Sequence, residues 1–138
     1  MPQNFKNLRT QTSPIISGVT TIGSSAETTQ IISMTGSTTV NYTNGSVCYV
    51  SSITGNHALT ISNAPTTDGQ TIVVTLIINQ GATPYLPASY TLNSTSQTVN
   101  WMGGSAPSGN ASKKDVISYV SVRVSGAWIT LGSLNTYG

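Results

Sequence analysis

Short runs rich in Val, Ile, Thr and Tyr recur along the chain and are separated by clusters of Gly, Asn, Asp, Ser and Pro. Apolar and polar residues alternate within many of these runs, which is the period of a half-buried β-strand, and no sustained helical spacing of apolar residues interrupts them. The pattern predicts about nine or ten short strands of the kind found in sandwiches and barrels. They lie at residues 19–22, 30–35, 38–42, 46–53, 57–62, 70–78, 89–92, 97–101, 116–124 and 127–131.

Turn dipeptides mark where several of these strands end. Asn44-Gly45 stands between two predicted strands and is a strong signal for a type I′ hairpin, because that turn needs a positive φ at both central residues. Ser125-Gly126 stands in the same way between the last two strands. The sequence therefore predicts a β-hairpin at each of these two dipeptides.

The apolar content of individual strands predicts how they are buried. Residues 70–78 are apolar at both odd and even positions, which predicts burial on both faces, whereas residues 116–124 alternate. Residues 1–18 are polar and contain two prolines, which favours an extended arm over a helix or a central strand. We therefore predict an all-β fold, a jelly-roll-like β-sandwich formed by residues 19–138, preceded by an extended N-terminal arm.

Composition narrows the classes of partner. Charged residues make up only 6% of the 138 residues and the net charge is +2, while Ser and Thr are abundant. Five scattered cations argue against nucleic-acid binding, which depends on neutralising phosphates, and no apolar run is long enough to span a bilayer. An uncharged polar surface suits contact with other protein.

Few side chains could perform chemistry. The chain contains one histidine, His57, one cysteine, Cys48, and three carboxylates, Glu27, Asp68 and Asp115. Their spacing matches no metal-binding or nucleophile motif. A single cysteine forms no intrachain disulfide, and Cys48 in an alternating strand is expected to be a small buried apolar group. We expect no catalytic residue, no metal ion and no cofactor.

The C-terminal half contains a distinctive series of tryptophan, glycine, proline and aspartate residues. The series comprises Trp101, Gly103, Gly104, Pro107, Asp115, Gly126 and Trp128. It resembles a recurring β-domain of phage virion proteins, including tail-fibre and appendage proteins of cyanophages, in which a Trp-x-Gly-Gly-x-x-Pro loop leads to an Asp-led strand and a final Gly-x-Trp strand. The resemblance covers roughly residues 55–132. The sequence departs from the family pattern at Pro84-Tyr85-Leu86-Pro87, where two prolines make the connection stiffer than the resemblance implies.

The resemblance implies a non-enzymatic virion structural protein, made in the host cytoplasm and built into a tail, neck or fibre appendage or onto a capsid as a decoration protein. Its expected partners are other virion proteins and copies of itself, with a trimer as the expected homo-oligomer. Nine residues are candidates for structural or interface roles. They are Phe5, Lys6 and Arg9 in the arm, and Trp101, Gly103, Gly104, Pro107, Asp115 and Trp128 in the C-terminal half.

Two other functions remain open. A carbohydrate-binding module for host-surface glycans requires an exposed row of aromatic rings, for which Tyr85, Tyr90 and Trp101 are the candidates. A hydrolase requires His57 within hydrogen-bond reach of a serine and a carboxylate. The structure can test both requirements.

Overall fold

The computed structural model describes residues 26–138, and these residues form ten β-strands and one turn of 3-10 helix. The strands are β1 Thr29–Met34, β2 Thr38–Asn41, β3 Val47–Ile53, β4 Ala58–Ser62, β5 Thr71–Asn79, β6 Ser89–Leu92, β7 Thr95–Gln97, β8 Val99–Trp101, β9 Lys114–Val124 and β10 Ala127–Tyr137. The predicted arm, with Phe5, Lys6 and Arg9, and the predicted strand 19–22 lie outside the described residues.

The strands form two sheets that pack against each other around one core. The larger sheet has the order β1-β3-β5-β9-β10-β8, and the smaller has the order β2-β4-β6-β7. From β1 to β6 the chain alternates between the sheets, and each of the first four strands pairs in parallel with the strand two places later. The first six strands therefore wind as three successive coils, and each coil adds one strand to the larger sheet and one to the smaller.

The C-terminal part of the chain closes the larger sheet. β9 lies antiparallel to β5 and to β10, and β10 pairs in parallel with the short edge strand β8. The predicted strand 97–101 is divided in the structure, because β7 pairs with β6 in the smaller sheet and β8 then crosses to the larger one. The hairpin predicted at Ser125-Gly126 is confirmed, with φ of 50° and 78° at its two turn residues.

The hairpin predicted at Asn44-Gly45 is wrong. β2 and β3 belong to different sheets, and Tyr42–Asn44 forms a 3-10 turn between them. The Gln30 side chain donates to the Gly45 carbonyl (2.6 Å) and to the Asn41 carbonyl (2.9 Å), which fastens this crossing to β1. Gly45 has a φ of 125°, so the dipeptide supplies a positive φ for a change of sheet instead of a reversal.

The two-sheet, all-β architecture agrees with the predicted sandwich, but jelly-roll connectivity is not confirmed. A jelly roll is an antiparallel double sheet built from Greek keys. Here five of the eight strand pairings are parallel. Parallel pairing follows from the winding, since a chain that crosses to the other sheet and returns runs in its original direction.

The prediction that residues 70–78 are buried on both faces is also wrong. In β5 the side chains of Ile72, Val74, Leu76 and Ile78 are buried, whereas Val73 is 43% exposed. Within the described residues the outer side of the larger sheet is not covered by a further layer. The apolar residues on that side therefore remain partly exposed.

The core lies between the sheets and is made of aliphatic side chains with two aromatic rings. Tyr90 of β6 stacks on Tyr119 of β9 with ring centroids 4.2 Å apart and thereby joins the two sheets. Cys48 is fully buried, as predicted, and burial raises the pKa of its thiol to about 11. The remaining core residues are Met34, Val40, Val50, Leu59, Ile61, Ala64, Ile72, Val74, Leu76, Ile78, Leu92 and Ile117.

Candidate assembly surface

The outer side of the larger sheet, here called the outer face, carries apolar side chains at alternate strand positions. Ile31 is 77% exposed, Ile129 51%, Leu131 49% and Val73 43%. These positions alternate with buried ones along β5, β9 and β10, so the exposed side chains lie on one side of the sheet. Scattered single apolar residues are ordinary on a protein surface, but a contiguous group of them marks an interaction site.

Strand register joins these side chains into continuous rows. Ile31 lies opposite Tyr49, Tyr49 opposite Ile77, and Ile77 opposite Val116, which forms a row across four strands. Neighbouring strands are about 4.8 Å apart, so the members of a row touch.

A second and a third row continue across the C-terminal strands. Val73 of β5 lies opposite Val120 of β9, and Val120 lies opposite Leu131 of β10. Thr71, Val122 and Ile129 form the row beside it. The outer face therefore carries three largely apolar rows, and a row of mostly Thr and Ser residues, among them Thr75, Ser118 and Ser133, lies between the first row and the other two.

Charge is nearly absent from the outer face. Among the described strands, the only charged residue at an outward-facing position is Lys114, at the beginning of β9, where it pairs with Asn79 and Tyr137. The other outward positions hold aliphatic, Tyr, Ser, Thr or Asn residues. Such a surface has little electrostatic cost of contact with another uncharged surface.

Asp115 of β9 is not at this surface but is fully buried behind the loop that precedes its strand. Its carboxylate accepts hydrogen bonds from the Asn110 backbone (2.8 Å) and side chain (2.9 Å), from Thr136 (2.9 Å) and from Gln80 (3.0 Å). Burial by itself raises the pKa of Asp115, but these hydrogen bonds together outweigh it and hold the pKa below its ordinary value. Asp115 thus fastens the loop to the strand ends.

The Gln80 amide extends this buried network to the middle loop. Its nitrogen donates to the Tyr85 carbonyl (2.8 Å) as well as to Asp115, and its oxygen accepts from the Tyr85 backbone (3.0 Å). This amide fastens the Pro84-Tyr85-Leu86-Pro87 connection at Tyr85, and the Leu86 nitrogen donates to the Asn56 side chain (3.0 Å). Sequence reasoning missed Gln80, because nothing local distinguishes it from an exposed glutamine.

The Trp-x-Gly-Gly loop, which begins at Trp101, forms a tight turn at the edge of the larger sheet. Gly103 and Gly104 have φ of 85° and 81°, and the Gly104 nitrogen donates to the Trp101 carbonyl (2.9 Å). Pro107 is half-buried further along the same loop. The Trp101 ring is half-buried with its edge towards Tyr119, 5.8 Å between centroids.

Trp101 packs over a glycine that sequence reasoning also missed. Gly132 of β10 lies opposite Trp101 of β8, and a Cβ at position 132 would lie 2.6 Å from the Val99 side chain and 2.7 Å from the indole. The structure does not bring Trp101 and Trp128 together, since Trp128 pairs with Arg123 nearer the β9–β10 turn. There the Arg123 guanidinium lies 5.4 Å from the centroid of the Trp128 ring.

The residues named for the two alternative functions do not form the geometry that each function requires. Tyr90 is buried in the core and Trp101 is half-buried, so Tyr85, Tyr90 and Trp101 make no exposed aromatic row. Among the described residues, the His57 side chain has one hydrogen-bond contact, with the Thr54 hydroxyl at 3.3 Å, and none with a serine or a carboxylate. Across residues 26–138 no cluster of three or more His, Cys, Asp or Glu side chains could hold a metal ion.

Comparison of the chain with family models, curated proteins and solved structures gave no match. In the described part of the chain no helix has the length and apolarity to cross a membrane. The function of the outer face is therefore inferred from its geometry alone.

Proposed function

We propose that the chain is a non-enzymatic structural protein that associates with a second copy of itself through the outer face, as a building unit of a bacteriophage virion. The uncharged apolar outer face is the observation on which self-association depends. The Trp-x-Gly-Gly loop, the Asp-led strand and the Gly-x-Trp strand support the virion assignment through their resemblance to tail, appendage and decoration domains.

The size of the outer face supports a stable contact. Six strands about 4.8 Å apart span about 24 Å, and the nine residues of β5 span about 30 Å at about 3.3 Å each. The product is on the order of 700 Å², close to the roughly 800 Å² that each partner buries in a standard protein–protein interface. One face can therefore supply most of such an interface.

The chemistry of the face favours a copy of the chain as the partner. The one charge on the face among the described strands, Lys114, lies at its end, so a contact with a copy across a two-fold axis brings few like charges together, and two-fold contacts are the commonest in homo-oligomers. A dimer is thus the basic unit that we propose. The trimer expected from the resemblance stays a prediction, and it would require a second contact surface.

The experiment that tests self-association is the solution mass of the full-length protein, measured by sedimentation over a range of concentrations. We expect a multiple of 14.3 kDa for the wild type. Val73→Lys and Leu131→Lys each place a charge on the outer face at positions that are already 43% and 49% exposed, so they should fold and give the monomer mass.

The matched control is Thr60→Lys, on the outward side of the smaller sheet, which should keep the wild-type mass. Circular dichroism establishes that all three variants are folded. A wild-type monomer at every concentration would overturn the proposal, as would outer-face variants that associate like the wild type.

The virion assignment has a separate test. Mass spectrometry of purified particles of the phage that encodes the chain should find it in a fixed ratio to the other structural proteins. A chain that is abundant in the infected cell but absent from purified particles contradicts the assignment, even when the isolated protein dimerises.

A further inference from the structure

A cleft lined by both polar and apolar side chains opens between the two sheets, close to the β9–β10 turn. Its volume is about 650 Å³, and β7 lies on one side and the beginning of β10 on the other. Cavities of this size accommodate small organic ligands. Its principal side chains are Trp128, Arg123, Gln97, Asn100 and Ser96. Arg123 is the only charged residue among those that line it in the described chain, and none is a carboxylate.

Arg123 is held in place by Trp128 and Asp68, and its side chain is 19% exposed. Its guanidinium lies against the Trp128 ring, and its Nε is 3.7 Å from an oxygen of Asp68. That distance gives charge balance without a hydrogen bond. Among the described residues, the buried Nε of Arg123 has no hydrogen-bond partner. Asp68 is itself fixed by the Gly126 backbone nitrogen (2.9 Å).

The amides of the cleft present acceptors. The Gln97 nitrogen donates to the Thr95 carbonyl (2.8 Å), and the Asn100 nitrogen donates to the Thr130 carbonyl (3.1 Å). In each case the backbone takes one of the two amide hydrogens, and the described hydrogen bonds leave the amide oxygen free to accept. The site thus combines an indole, a guanidinium and amide oxygens.

We propose that the cleft binds an acidic sugar unit, a hexuronate of a polysaccharide. A pyranose ring packs on the Trp128 indole, the sugar hydroxyls donate to the oxygens of Gln97 and Asn100, and the carboxylate pairs with Arg123. Arginine suits this role because its planar donors match a carboxylate. A neutral sugar supplies no carboxylate to pair with the guanidinium.

This inference does not rest on the proposed self-association. Arg123 and Trp128 occupy the strand positions that face the smaller sheet, alternating with the outward positions of Val122 and Ile129. Ile129 of the outer face also borders the cleft, but the substituted residues Val73 and Leu131 do not line it, so variants of the outer face and of the cleft test different sites.

The experiment titrates the full-length protein with D-glucuronate, D-glucose and acetate, and follows the two indole N–H signals by NMR. We expect glucuronate to shift the Trp128 signal, with the Trp101 signal unmoved as an internal control. Glucose and acetate should each bind more weakly, because each supplies only half of the interaction. No Trp128 shift with glucuronate would overturn the proposal, as would an equal affinity for glucose or acetate.

Substitutions give effects of opposite sign. Arg123→Gln should weaken glucuronate binding by about tenfold or more, through loss of the charge-assisted hydrogen bonds. Asp68→Asn should strengthen it, because the competing carboxylate is removed. Lys113→Gln, which removes an exposed charge elsewhere, should bind like the wild type. Unchanged binding by Arg123→Gln, or weaker binding by Asp68→Asn, contradicts the assignment of the carboxylate to Arg123.

Discussion

At the scale of single residues, Asp115 holds a negative charge in the interior through four hydrogen bonds from three side chains and one backbone nitrogen. Its position at the start of a strand was evident in the sequence. The partners Gln80 and Thr136 were not, because they lie 35 and 21 residues away along the chain.

Asp115→Asn should destabilise the protein by about 1–3 kcal/mol at neutral pH, because it places an amide nitrogen among donors. The lowered pKa of Asp115 sets the pH dependence. Its stabilising contribution is fully present above the unfolded-state pKa of about 3.9 and is lost as the pH falls through the lower folded-state pKa.

Urea unfolding of both proteins measures this contribution. The difference in free energy of unfolding should be large at pH 7 and should narrow below about pH 4. Thr136→Val, which removes one of the four hydrogen bonds, should cost less than Asp115→Asn. A difference that stays constant with pH would show that the charge of Asp115 contributes nothing.

Gly132→Ala tests the packing of Trp101. The added methyl group would lie within 2.7 Å of the indole and of Val99, both packed against the core, so we expect a loss of about 1–3 kcal/mol in the free energy of unfolding. Gly81→Ala is the matched control, because its Cβ meets nothing within 4 Å. Equal stabilities of the two variants, measured by thermal unfolding, would mean that Trp101 moves aside without cost.

At the scale of elements, two similar dipeptides had different outcomes. Ser125-Gly126 joins two long strands that pair in register over their whole length, so the turn and the pairing agree. Asn44-Gly45 follows a strand of only four residues, and both flanking strands find parallel partners from other coils. A local turn preference was overcome by long-range pairing that buries more apolar surface.

Ser125→Asn should stabilise the β9–β10 hairpin. Ser125 has a φ of 50°, and asparagine adopts the left-handed region at a lower cost than serine, so we expect a gain of up to about 1 kcal/mol. Ser105→Asn, at an exposed loop position without a positive φ, should leave the stability unchanged. If chemical denaturation finds no gain for Ser125→Asn, the turn is not strained.

At the scale of the whole molecule, parallel winding leaves the larger sheet with one side on the core and the other uncovered within the described residues. The apolar content of residues 70–78 indicated burial on both sides, and the proposed dimer would supply the missing cover. In the proposed dimer, one set of alternate apolar positions of β5 packs in the core and the other set contacts the second copy.

Self-association through the outer face should depend little on simple salt. Because the face has no charge other than Lys114 at its end among the described strands, the dimer Kd should change by less than about twofold between low and high sodium chloride. Sodium sulfate should tighten it, since that salt favours apolar burial. Sedimentation at several salt concentrations measures both effects, and strong weakening by sodium chloride would indicate a charged interface elsewhere on the chain.

The sequence by itself determined the β class, the places of most strands, the turn at Ser125-Gly126 and the burial of Cys48, because these depend on alternation and turn chemistry within a few residues. Only the tertiary structure decided which strands pair, that Gly45 serves a change of sheet, that Trp101 needs Gly132, and that Arg123 and Trp128 share a cleft with Gln97. These depend on contacts between residues far apart in the chain, where parallel and antiparallel partners of similar composition compete. No short stretch of sequence records those contacts.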